Sequence, residues 1–154
     1  MYTPHEVTVI NAVRENGEMR YHAAVLHGVM MQAVSASVTG DSGLNPAASV
    51  FSFKEAATLF IPFSVKATSP NGETEMTWLS PLAYEAAADK SRVWTLRSGS
   101  KDAPANCFFI KGEATEPCGY AEANATYDQV YNITAVDIHD YGSPAMRHWE
   151  VTGV

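Results

Sequence analysis

Charge is scarce in this chain. Only 18% of its 154 residues are Asp, Glu, Lys or Arg, where an average globular domain carries about 25%. Part of its surface is therefore expected to be covered by something other than bulk water, unless Ser, Thr and Asn do the polar work. Cations are the rarer sign, with 10 Lys and Arg against 17 Asp and Glu and a net charge of −7. That balance argues against a groove that grips nucleic acid by counterion release. It suits a wall past which DNA slides, because acidic character repels the phosphate backbone. Cysteine is nearly absent. Cys107 and Cys118 make no disulfide framework and match no zinc spacing. Two free thiols fit a reducing compartment, and a bridge closing the loop between them is the alternative. Long apolar runs are missing too. The richest stretch, residues 22–38, is interrupted by His27, Gly28, Gln32 and several serines, so no membrane span is expected. Residues 1–6 lack a basic start followed by an apolar run, and no secretory signal is expected.

Signatures of chemistry are equally thin. There is no Gly-x-Ser-x-Gly elbow and no glycine-rich phosphate loop; Ser98, Gly99 and Ser100 before Lys101 read as a turn. Cys107 lies in an apolar run, where a thiol behaves as a small hydrophobe. Cys118 follows Pro117 with no basic neighbour to activate it. The five histidines are His5, His22, His27, His139 and His148. His22 and His27, five apart on one strand, face opposite ways. His139 and His148 can meet across a hairpin with Asp137 and Asp140 nearby; a metal or acid–base site fits this arrangement, and ordinary turn polarity explains it more economically. The expectation is a protein that is not an enzyme, with no catalytic residue, metal or cofactor site.

What is present is the material of one core. Hydrophobic residues make up 46%, and the length suits a single β-rich domain over residues 1–154. Asn16-Gly17 is a strong hairpin signal because both residues accept positive φ. Strands are expected over residues 7–10, 20–30, 32–38, 49–53, 58–65, 92–96, 107–111, 130–138 and 147–151. Pro62 removes a ladder donor and places its strand at an edge or a bulge. Ser80-Pro81 marks a helix start, with the helix running through residues 82–90, and a second short helix covers 120–127. About eight strands and two short helices give a mainly β fold, a small barrel or sandwich. Trp94, Trp149, Phe109 and Ile110 are the expected core anchors. Asp41, Asn45, Lys101 and Asp102 lie in turn-rich segments suited to assembly or to lining a channel. The competing reading of Trp78, Trp94, Trp149 and seven tyrosines is an aromatic platform, which would make a glycan- or peptide-binding module.

Residues 25–29 and the strand Phe108-Phe109-Ile110 closing on Lys111-Gly112-Glu113 resemble segments of small phage neck proteins. Residues 127–130 and 133–137, then Gly142-Ser143-Pro144 and His148-Trp149-Glu150-Val151, are similar to the tail of the minor structural proteins of tailed phages, the minor capsid or head–tail connector family. The resemblance covers half the chain and rests on order and spacing. It implies a virion protein, made in the bacterial host cytoplasm. It also implies a head-completion subunit forming a ring between portal and tail, with copies of itself, portal or adaptor proteins and tail proteins as partners. DNA would pass through the channel without specific binding, and no membrane is involved. A tail terminator or other tail component is the alternative within the same resemblance.

Overall fold

A computed structural model describes residues 2–40, 50–98 and 107–154. Its strands are β1 (His5–Glu15), β2 (Glu18–Gly40), β3 (Val50–Pro62), β4 (Lys66–Thr68), β5 (Glu75–Trp78), β6 (Val93–Trp94), β7 (Phe108–Lys111), β8 (Val130–His139) and β9 (His148–Gly153). Two short helices, α1 (Pro81–Ala86) and α2 (Tyr120–Thr126), and a 3-10 turn at Pro144–Met146 complete the described elements.

The β1–β2 hairpin follows directly from Asn16-Gly17. Their φ values of 52° and 80° set a tight turn that brings Glu15 opposite Glu18. β2 then runs on as one strand where the sequence suggested two. The continuity depends on Gly28, at φ 90°. His5 pairs with Val29 and Glu6 with His27, leaving Gly28 as the extra residue of a bulge. Before it, Ala24 and Leu26 point into the core; after it, Val29 and Met31 do. Past Val29, β2 leaves β1 and pairs with β3 from Met30↔Phe60 to Gly40↔Val50. β3 likewise joins two expected strands into one. Pro62 does not mark an edge, since β3 lies between β2 and β9. It is the last residue of β3, opposite His148, where a missing donor costs the ladder little.

The order β1-β7-β8-β9-β3-β2, with β2 returning to β1, closes a six-stranded barrel. β4 and β5 continue outward from β2 at Val25–His27, and β6 pairs parallel with β5. β4 and β5 went unread in the sequence, and the strand expected over residues 92–96 contracts to Val93–Trp94. Ser80 caps α1 as expected, its Oγ accepting from the Ala83 N–H at 3.4 Å. The helix stops at Ala86 rather than at Lys90. Asp89 accepts from the Ser91 N–H at 2.9 Å, and Lys90 donates to the Ala87 carbonyl at 2.6 Å. These local bonds satisfy the backbone without another helical turn.

Apolar side chains fill both faces of the β1–β7–β8 wall. Val7, Val9, Phe109, Tyr131 and Ile133 point into the barrel. Ile10, Phe108, Ile110 and Val130 pack outside, beneath Ala123 of α2. A strand covered on both faces reads as a continuous hydrophobic run, which accounts for Phe108-Phe109-Ile110. The even-numbered residues of β8 do not share one face. The register shifts between Ile133 and Ala135, so Tyr131 and Ile133 face inward while Thr134 is exposed. Beyond the shift, Val136 packs against the core.

Candidate functional site

Trp149 occupies the centre of an aromatic cluster at one end of the barrel. Phe63 lies 4.4 Å from it, Trp78 4.9 Å and Trp94 5.8 Å, centroid to centroid. Met76 and Ile138 complete a cleft of about 530 Å³, with Asp140 at its rim. Trp94 and Trp149 are only 1% and 5% exposed, and the rings are tilted against one another by 38° to 75°. This is a packed wall. The flat pair of exposed aromatics that a glycan platform presents is not seen among the described residues. Phe109 is also inside the barrel, stacked at a tilt on Tyr131, whereas Ile110 is buried on the other face, under α2.

The opposite end of β3 carries a different feature. β1 leaves β2 at His5↔Val29, and β9 leaves β3 at Ala57↔Gly153. The two strands continue alone as a ribbon from Val34↔Ala56 to Gly40↔Val50, roughly 20 Å at ~3.3 Å per residue. Along it both outer edges lack a strand partner among the described residues. In sequence the ribbon is Val, Ala, Ser, Thr and Phe, with Lys54 and Glu55 its only charges. Val34, at its base, is 62% exposed. Asp41, Asn45, Lys101 and Asp102, named above as assembly or channel residues, lie outside the described residues.

A third feature sits on the outer face of the β8–β9 hairpin. His139 and His148 are direct ladder partners, as the sequence allowed. Their rings stack at 4.7 Å and 12°. The carboxylate that joins them is Glu150, 3.3 Å from His139 Nε2, and not Asp140, which turns to the aromatic cleft. His27 makes a smaller polar node, bonded to Glu6 through Nδ1 and to Thr68 through Nε2, each at 2.9 Å; it ties β1, β2 and β4 together.

Both cysteines are free. Burial pushes the Cys107 thiol up, a hydrogen bond from Asn11 opposing it. Burial and then the Glu122 carboxylate push the Cys118 thiol up. A raised thiol is a poor nucleophile, and neither is paired with a base. Sequence reading missed the ribbon, since β2 was divided near residue 31 and β3 across residues 53–58, and it missed Glu150 as the third member of the histidine cluster. The signal for Glu150 was its spacing of two from His148, which places both on one face of a strand.

No curated protein and no solved structure matches the chain. One family profile matches residues 2–154, and the chain belongs to that family, a family of unknown function (DUF6751).

Proposed function

We propose that this protein is a structural subunit of a tailed-phage neck, a head–tail connector of the stopper kind that closes into a ring between portal and tail. The observation that carries this reading is the β2–β3 ribbon. A two-stranded ribbon alone is marginal in water, and two open edges invite pairing with another chain. Its near absence of charge leaves little to solvate it. Seated against a neighbouring copy, the same edges and apolar residues gain partners. A ribbon from one subunit on the barrel of the next is a heterologous contact, which closes when the rotation between copies completes a ring. The barrel supplies the rigid body such a ring requires, and the net charge of −7 suits a channel that DNA must traverse freely. The neck location itself rests on the sequence resemblance. A tail terminator would use the same ring chemistry one position further along the particle.

A map of the intact particle at residue resolution tests the proposal, together with a variant in which Ala33 and Ala57 are joined by Asn-Gly in place of the ribbon. The expectation is a ring of this chain at the portal–tail junction. The shortened protein should fold and yet fail to enter particles. Absence of the chain from that junction, or infectious particles built with the shortened variant, would overturn the reading.

A further inference from the structure

We infer that His139, His148 and Glu150 form a binding site for a divalent transition-metal ion, with zinc the best match, clipping β8 to β9. The inference is independent of the neck reading.

One ligand atom from each of the three side chains lies within 4.8 Å of the other two. Zinc binds imidazole nitrogen and carboxylate oxygen at about 2.0–2.2 Å, which sets neighbouring ligand atoms about 3.3 Å apart in a tetrahedral site. His139 Nε2 and Glu150 Oε2 already stand at 3.3 Å. The remaining closure comes from tipping the stacked His148 ring towards its neighbour, a rotation about soft side-chain torsions.

The ring nitrogens are held for the same outcome. His148 Nδ1 is 2.8 Å from the Met146 carbonyl, which only accepts, so Nδ1 carries the proton and Nε2 keeps a free lone pair. His139 Nδ1 is held by the Tyr141 hydroxyl at 2.8 Å, and its Nε2, buried and without a well-aligned hydrogen bond among the described residues, faces the Glu150 carboxylate. Metal-binding histidines are oriented in this way, one nitrogen fixed by a neighbour and the other offered to the ion.

Electrostatics points the same way. Asp137 lies directly across from Glu150 in the ladder, two rungs from the histidine pair. Like charges opposed on a strand pair are destabilising, and a cation between the imidazoles and Glu150 relieves the repulsion. Stacking of the histidine pair near Phe60 explains the rings but not the opposed carboxylates beside them. Two nitrogen ligands disfavour magnesium and calcium, which prefer all-oxygen shells. Glu150 is partly exposed, so an ion has a path in, and water completes the fourth position.

The test is zinc titration of the full chain, stripped with chelator beforehand, by calorimetry and thermal melting. One equivalent should bind, and the melting temperature should rise by about 5–10 °C at a hundredfold excess over Kd. His148→Gln and His139→Gln should each weaken binding at least tenfold. On the unaltered protein, imidazole nitrogen resonances provide a readout that needs no variant: zinc should shift Nε2 of His139 and His148 and leave His5, His22 and His27 unmoved. Less than one equivalent bound, undiminished affinity in the His139→Gln/His148→Gln double variant, or shifts confined to other histidines would overturn the proposal.

Discussion

Asn11 holds Thr95 as a neighbouring strand would. Its Nδ2 donates to the Thr95 carbonyl at 2.8 Å, and its Oδ1 accepts from the Thr95 N–H at 3.1 Å. The same amide contacts Cys107 Sγ at 3.4 Å. One side chain on β1 thereby satisfies both backbone groups of a residue that follows β6, and it fastens Trp94 and Leu96 over the barrel interior.

Replacing Asn11 with Ala or Leu should therefore destabilise the protein by about 2–4 kcal/mol. Two buried bonds are lost and the Thr95 backbone is stranded without partners. Chemical denaturation measures this, and a loss below about 0.5 kcal/mol would mean that water replaces Asn11.

Tyr84 presents the reverse case. Its ring is buried, its hydroxyl has no partner among the described residues, and burial drives its pKa far above the ordinary tyrosine range. Tyr84→Phe should raise stability by about 1 kcal/mol, because it removes an unsatisfied polar atom and keeps the volume. Lys90, 5.4 Å above the ring, retains a face to sit on. A drop in stability would show that the hydroxyl is satisfied in solution.

Gly153 is where β9 passes against the core. A Cβ there would stand 2.7 Å from both Phe109 Cε1 and Tyr131 Cβ. Gly153→Ala should cost about 1–3 kcal/mol through overpacking, read as a lower denaturation midpoint with unchanged slope. A neutral substitution would mean that the last rungs of β9 can move aside.

The thiols give a pH signature. In both cysteines the folded-state pKa is raised, so folding favours the protonated form. This stability is fully present below the ordinary thiol range and is lost as pH rises through it, because the unfolded chain ionises first. Alkaline melts should show the decline, and Cys107→Ala should reduce it. In the native state a thiol reagent should modify Cys118 first, with Cys107 reacting only on unfolding. Two equally fast equivalents would contradict the burial of Cys107.

Local chemistry written into adjacent residues was legible in the sequence: the Asn16-Gly17 turn, the Ser80 cap, α2 and the last strand with Trp149 in the core. Features set by partners far along the chain were not. Nothing around Asn11 announces Thr95, and β4 and β5 are too short for their periodicity to register. The strand breaks expected near residue 31 and across residues 53–58 mark only where the alternating runs were bounded, with no turn signal there, and β2 and β3 supply each other's hydrogen bonds through both stretches. The histidine pair was visible as a possibility because a hairpin is itself local, but Glu150 gained meaning only once the register fixed which residues share a face.

Gly28 carries a consequence for how this family can vary. With one residue inserted into the pairing, the inward set of β2 changes from even to odd numbers, so the barrel half and the ribbon half of the strand are written in opposite phase. Deleting Gly28 would remove the extra residue and join His27 directly to Val29, so regular alternation would keep Leu26 and Val29 facing inward while the local kink of the bulge is lost. A single backbone position, held at a φ of 90° that side-chain-bearing residues rarely adopt, thus sets the bend at which β2 passes from β1 to β3.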